Sequence, residues 1–280
     1  MSSPVVVVGA HRSGTTLVAR LLQQLGVDMG RRLSALCEDE DIVALHEWLL
    51  RRAGGSWENP APLSALLGVP ELREQVRLIL NQQHGIGRPR AASWGWKDPR
   101  TAFTLELWTT VFPDLRAIVV RRHPAATTAS LVARARGEHR DRDSPLAARP
   151  AALRLKGAVR KHEYERHFYR SVRCWEPDEA LDVWAEYNSA IDRFIAIAPS
   201  RVVAEVRLES FLADPLAVVE QLIQAGLGAG DHDPSLAVAR LELRAPAERR
   251  SLWPSAEAME RTEAQAKRYG YSYEMALAAR

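Results

Sequence analysis

Two cysteines, Cys37 and Cys174, are all that the 280-residue chain contains. They are too few for a disulfide framework and share no metal-ligand spacing, a usage that fits a reducing compartment. Long apolar runs are missing as well. Only residues 4–8 are continuously apolar near the N-terminus, and no stretch approaches the roughly 20 residues that span a bilayer. Nor is there a basic leader followed by such a run. The expectation is a cytoplasmic protein with no transmembrane segment. Excess charge is also scarce, since 38 Lys/Arg oppose 35 Asp/Glu for a net +3. So small a balance gives no argument for nucleic acid as a partner. The imbalance is local: Arg134 to Arg173 holds 12 Lys/Arg and 5 Asp/Glu, either a solvated helical face or the surround of an anionic ligand. What remains is an ordinary globular mixture, 46% hydrophobic and 26% charged, long enough to bury a core without staples.

Residues 5–8 are four valines that end at Gly9, the pattern of a buried strand. Gly9 to Gly14 makes a tight turn. From Thr15 the spacing of Leu17, Val18, Leu21, Leu22 and Leu25 predicts a helix that Gly26 stops. Strand, glycine loop and helix in this order point to an α/β fold with a parallel sheet. Further helices are expected over 42–52, 70–82, 105–111, 124–135 and 215–224, with Pro124 in a first turn. Strands are expected over 92–96, 115–120 and 201–206. Residues 138–150 read as a loop or mobile lid, and the chain as a single domain with a basic insertion at about 136–173. The last 50 residues carry no readable motif.

The segment Gly9-Ala10-His11-Arg12-Ser13-Gly14-Thr15-Thr16 has the Gly-x4-Gly spacing of a phosphate loop. Backbone N–H groups of such a loop converge on an anion at the positive end of a helix. One residue is missing from it. Nucleoside-triphosphatase loops place lysine directly after the second glycine, where it reaches the β- and γ-phosphates; here that position is Thr15, and the only cation in the loop is Arg12. A loop built this way suits a single terminal phosphate better than a triphosphate, and a P-loop small-molecule kinase becomes the lesser alternative. A nucleic-acid-binding module, using the basic segment with Tyr164, Phe168 and Tyr169, is the non-enzymatic one. A relative that binds nucleotide without turnover is a third.

These residues resemble the sulfotransferases that use 3′-phosphoadenosine 5′-phosphosulfate (PAPS). Arg12-Ser13-Gly14-Thr15-Thr16-Leu17 is similar to their 5′-phosphosulfate motif, in the arginine form of the tyrosylprotein and many bacterial members. Val119-Val120-Arg121-Arg122-His123-Pro124, continuing to Ser130, resembles their 3′-phosphate motif, a strand ending in arginine with serine eight residues later. That spacing selects Arg122 over Arg121, with Ser130 and then Arg134 one helical turn on. Gly95-Trp96-Lys97-Asp98-Pro99 resembles the Lys-Asp-Pro segment whose lysine contacts the transferring group. Val206–Phe211 with Asp214-Pro215 is similar to a late strand-to-helix segment. The resemblance spans about residues 4–225 and implies a P-loop-type three-layer fold, a central parallel sheet flanked by helices.

The resemblance assigns donor binding to Arg12, Ser13, Gly14, Thr15, Thr16, Arg122, Ser130 and Arg134. PAPS is the co-substrate, its product is adenosine 3′,5′-bisphosphate, and no metal is expected. Arg12 and Lys97 would stabilise negative charge on the leaving oxygen. Lys97, beside a strand end, is expected outside the core. Glu38 aligns with the glutamate that related enzymes place before a helix, which makes it the base; capping that helix is its competing role. Glu40 and His46 are rivals, the latter by its ordinary titration range. Trp184 or Tyr187 could stack on adenine. The acceptor stays open among small molecules, carbohydrates, lipids and peptides.

Overall fold

The computed structural model describes residues 3–82, 93–140, 173–227, 233–241 and 256–271. Its centre is a four-stranded parallel sheet in the order β2-β1-β3-β4, with β1 Val5–Val8, β2 Gly95–Lys97, β3 Arg116–Arg121 and β4 Val202–Arg207. β1 is central and pairs β2 through Val7↔Lys97 and β3 through Val8↔Val119. The chain leaves β1 toward one side and returns on the other, so the crevice beyond its carboxyl end is the topological switch point where such sheets bind ligands.

Period-two alternation splits the valines between two cores. Val6 and Val8 pack with Trp94, Trp96, Trp108, Trp184, Tyr187 and Phe194, while Val5 and Val7 pack with Leu21, Leu22, Leu25, Phe211 and Leu222. All four valines are fully buried, each contributing about 1.5–3 kcal/mol of transfer free energy.

The helices follow their local signals. α1 (Thr15–Gln24) starts at Gly14 and α2 (Glu40–Arg52) at Asp39, whose side chain accepts from the Asp41 N–H. Acidic Glu40 and Asp41 in its first turn and Arg51 and Arg52 in its last suit the helix dipole. α3 (Ala61–Leu67), α4 (Pro70–Gln82) and α5 (Leu105–Val111) follow. α6 runs Pro124–Arg140, so the expected end at 135 was early and residues 138–140 are helix rather than loop. Nothing in the run Ala133–Gly137 breaks it, since Gly137 has open space around it and no forced turn. The remainder of the expected lid and most of the basic insertion, residues 141–172, lie outside the described residues. α7 (Pro177–Ile197) was not anticipated, although Pro177, Asp178 and Glu179 open it and Ala180, Trp184, Tyr187, Ile191 and Phe194 form a buried stripe. α8 (Leu208–Ala213), α9 (Pro215–Gln224), α10 (Pro234–Ala239) and α11 (Ala256–Arg268) follow among the described residues. The second strand, expected over 92–96, sits slightly later because Gly95 is where β1 approaches; a Cβ there would lie 1.8 Å from the Val5 carbonyl oxygen.

Candidate active site

The glycine loop owes its path to what surrounds it. A side chain on Gly9 would come within 2.3 Å of the Val120 carbonyl oxygen, so glycine lets the chain cross the end of β3. Gly14 has φ +96°, and a Cβ there would press on Leu208 at 2.7 Å. Between them Arg12 takes φ 70°, a conformation that costs a non-glycine residue on the order of 1–3 kcal/mol and clusters at functional sites. The Ser13 hydroxyl is buried and makes no hydrogen bond to any described residue. A buried hydroxyl without a partner, in a glycine loop at the start of a helix, fits an anionic oxygen. Thr15 is buried at the start of α1, and Thr16 donates from Oγ1 to the Leu36 carbonyl at 3.3 Å, tying α1 to the loop before Glu38.

Arg12, Arg122 and Ser130 meet on this loop. Arg12 Nε donates to Ser130 Oγ at 2.9 Å, and Arg122 Nη1 donates to the Arg12 carbonyl at 3.1 Å. Arg134, one turn after Ser130 on α6, lies over the Trp57 ring at 5.1 Å. Arg121 points elsewhere. Its guanidinium donates to Asn188 at 2.8 Å, Asp192 at 2.6 Å and Glu205 at 3.3 Å, and faces the Tyr269 ring at 4.8 Å. Strand alternation explains the divergence, because Arg121 shares the face of Val119 and meets α7 while Arg122 leaves the strand toward the loop.

Glu38 and Lys97 are brought together from 59 residues apart. Lys97 Nζ donates to Glu38 Oε1 at 2.6 Å, with the side chains only 3% and 11% exposed. Lys97 is therefore a buried residue, contrary to its expected place outside the core: the last residue of β2 is covered by the loop that carries Glu38. That loop is tightly held. Ser34 Oγ accepts from the Leu36 and Glu38 N–H groups, Ser34 N donates to the Glu38 carbonyl, and Cys37 takes a left-handed φ of 55°. Helix capping falls to Asp39 instead of Glu38. Glu40 is exposed and paired with Arg32 at 2.7 Å.

His46 is enclosed by partners from other elements. Its Nδ1–H donates to Asp98 Oδ2 at 2.8 Å, and its Nε2 accepts from Trp108 Nε1 at 3.2 Å, with Thr104 Oγ1 at 3.1 Å. Indole N–H is donor only, so this pattern selects the Nδ1–H tautomer. Asp98, fully buried, also accepts from the Arg100 backbone and Nη1. Although burial opposes ionisation, Arg100 and His46 hold its carboxyl well below the usual carboxylate range. Trp184 and Tyr187 are fully buried and donate to the Arg122 and Trp57 carbonyls. Both rings are packed within the core, where neither has a face open to an adenine.

Three neighbours were not singled out from the sequence. His11 is buried between Trp57 and Tyr187, at ring separations of 4.5 and 5.4 Å. Burial, then the charges of Arg100 and Arg134, hold it neutral, well below the ordinary imidazole range. Arg100 follows the Lys-Asp-Pro segment and reaches Glu47 at 3.2 Å. Glu209 accepts from the His123 N–H at 2.9 Å, anchoring the turn that carries Arg122. All three sit inside or beside motif segments, which was their only local signal.

A parallel sheet with a glycine loop at its switch point and arginines gathered around that loop defines a P-loop-type α/β fold. The model of the sulfotransferase family matches residues 4–170. The chain belongs to the sulfotransferase family. Among solved structures it is similar to sulfotransferase STF9 from Mycobacterium avium, at 13% identity and a TM-score of 0.51, over 97% of this chain and 78% of that one. It is also similar to STF1 from Mycobacterium tuberculosis H37Rv, at 15% identity and a TM-score of 0.48, over 96% and 77%. No curated protein matches the sequence significantly. Among the described residues no helix is long and apolar enough to cross a membrane, and no group of three His, Cys, Asp or Glu is placed to hold a metal ion.

Proposed function

We propose that this sulfotransferase takes its sulfuryl group from PAPS and delivers it to a hydroxyl or amine of a small-molecule, carbohydrate, lipid or peptide acceptor. The observation that carries the reading is the convergence of Arg122 and Ser130 on Arg12 in a loop without lysine. A strand-end arginine and a helix serine beside a monophosphate-sized loop suit a nucleotide with phosphate at both ends of its ribose. The buried, unpartnered Ser13 hydroxyl supports the same reading, since a phosphate oxygen would satisfy it. The loop amides with Ser13, Gly14, Thr15 and Thr16 would hold the 5′-phosphate. Arg122 and Ser130 would bind the 3′-phosphate, with Arg134 alongside. Two free, buried thiols fit action in the cytoplasm, and two cores packed on one sheet fit a single domain.

Transfer is an in-line displacement in which the acceptor oxygen or nitrogen bonds to sulfur as the bridging S–O bond breaks. Arg12 and Lys97 stabilise the charge that builds on the leaving phosphate oxygen. Glu38 takes the acceptor's proton. Thermal unfolding tests the donor assignment. Adenosine 3′,5′-bisphosphate at 100 times its Kd adds about 2.7 kcal/mol of stability, whereas ATP and 5′-AMP at equal concentration add far less. Equal stabilisation by 5′-AMP removes the 3′-phosphate site. Acceptors are then screened with radiolabelled donor.

A further inference from the structure

The segment after α11 reaches back to the turn that carries Arg122. α11 closes in a left-handed turn: Gly270 has φ 66°, its N–H donates to the Lys267 carbonyl at 3.0 Å, and the Tyr271 N–H donates to the Ala266 carbonyl at 2.9 Å. This pairing is a Schellman cap, which satisfies the last helix carbonyls and redirects the chain. Glycine suits the position, where a Cβ would sit on a left-handed backbone 3.2 Å from Arg207 Nη2. Arg207, at the end of β4, catches the cap. Its guanidinium donates to the Tyr269 and Gly270 carbonyls at 2.9 and 3.0 Å and faces the Tyr271 ring at 5.0 Å.

We propose, on the donor reading above, that Tyr269-Gly270-Tyr271 is a clasp that sets Arg122 for the 3′-phosphate, with Tyr271 as its positioning residue. The peptide between Arg122 and His123 is held at both polar atoms: Trp184 Nε1 donates to its carbonyl at 3.3 Å, and its N–H donates to Glu209 at 2.9 Å. Each tyrosine packs on one side of that peptide. The buried Tyr271 ring meets the His123 ring edge-on at 5.3 Å. Tyr269 packs edge-on with Trp184 at 5.2 Å and donates from its hydroxyl to Asp192 Oδ2 at 2.6 Å. Arg121 also faces Tyr269, but Asp192, Arg207 and Trp184 anchor that residue without it. Arginine–phosphate bonds are short, about 2.7–2.9 Å, so a shift of roughly 0.5 Å in the peptide that carries Arg122 weakens its grip. Coupling is reciprocal: a 3′-phosphate held by Arg122 tightens the clasp as the clasp tightens the phosphate.

Titration calorimetry of adenosine 3′,5′-bisphosphate and 5′-AMP with wild type, Tyr271→Phe and Tyr271→Ala tests this. Tyr271→Ala takes the ring off His123, so bisphosphate should bind about tenfold more weakly while 5′-AMP, which offers Arg122 no 3′-phosphate, changes by less than about twofold. Tyr271→Phe keeps the ring and should bind both nucleotides as wild type does. A second measurement needs no variant. Hydrogen exchange at the Gly270 and Tyr271 amides, the two that close the cap, should slow with saturating bisphosphate and stay unchanged with 5′-AMP. If Tyr271→Ala does not fold, exchange in the wild type decides. An equal loss of both nucleotides in Tyr271→Ala, no loss of either, or exchange that bisphosphate leaves unchanged overturns the clasp alone. Wild type that binds bisphosphate no more tightly than 5′-AMP overturns the donor reading and this proposal with it.

Discussion

Removing the Lys97 charge separates the electrostatic part of the site from its scaffold. Lys97→Met keeps an apolar stem of similar reach and deletes the ammonium, leaving Glu38 11% exposed and without its 2.6 Å partner. Breaking a buried pair from one side costs about 3–5 kcal/mol, a large share of the roughly 5–15 kcal/mol that holds a domain folded. Glu38→Gln strands the opposite charge and should cost a comparable amount. The double variant Lys97→Met/Glu38→Gln buries no unpaired charge, so urea titrations should find it more stable than the two single costs predict, by well over the roughly 0.5 kcal/mol expected of independent sites. Turnover is the second readout. Lys97→Met should lower kcat by about 10²–10³, as loss of one preorganised donor does. Its PAPS affinity should change much less, because the charge Lys97 is proposed to stabilise develops in the transition state and not in the bound donor. Single costs that add would refute the pair, and an unchanged kcat would leave Arg12 alone as the electrostatic catalyst.

Arg122→Ala should raise the KM for PAPS while saturating donor restores most of kcat, since a 3′-phosphate contact is equally present in ground and transition states; a kcat that stays low at saturation rejects that role. Arg121→Ala should do the reverse, lowering stability through loss of its Asn188, Asp192 and Glu205 bonds with donor KM unchanged, as read by urea unfolding and initial rates. For the base, Glu38→Gln should cost about 10²–10⁴ in kcat with an alkyl hydroxyl acceptor; retained activity moves the proton elsewhere. Acid should weaken the fold through His123, which burial and then the Arg122 charge push down to about 4 from an ordinary 6.5. Its neutral Nδ1 accepts from the Ala125 N–H, so the unfolded chain takes up the proton first. Stability from this residue is complete above about 6.5 and is lost as pH falls through about 4. Urea midpoints between pH 7 and 4 should flatten in His123→Asn, and an unchanged slope rejects the assignment.

What could be read from the sequence was whatever short-range physics dictates. Four valines followed by a glycine loop specify strand, turn and helix within one window, and the eight-residue spacing from Arg122 to Ser130 survives because both lie on one continuous strand–turn–helix unit. Asp39 and Glu38 are adjacent acids before a helix, and local pattern cannot say which caps it; the left-handed turn at Cys37 decides, sending Glu38 inward and leaving Asp39 at the cap. Lys97 looked like a surface lysine because its cover comes from residues 34–38, far away in sequence. His46 kept an ordinary helical spacing, yet Asp98, Thr104 and Trp108 arrive from other elements to occupy both ring nitrogens. α7 went unseen for a different reason. It follows closely on a basic stretch that draws the eye, although Pro177 with Asp178 and Glu179 marks its start and its apolar stripe is regular from there.

The replacement of the usual loop lysine by Thr15 has a structural counterpart in how the loop is supported. A lysine after the second glycine would project from α1 and act from within the loop's own helix. Here the loop's cation is Arg12, strained at φ 70° and steadied from outside, its Nε on Ser130 of α6 and its carbonyl held by Arg122 at the end of β3. Glu209 in turn fixes the His123 N–H in the turn between those two elements. The phosphate loop and the β3–α6 turn therefore form one hydrogen-bonded unit. A ligand that draws Arg122 or Ser130 toward a 3′-phosphate must also adjust the backbone and side chain of Arg12. Under the proposed donor reading these bonds couple the two ends of the nucleotide through Arg12, so a bisphosphate should order the loop more than the sum of two separate monophosphates does.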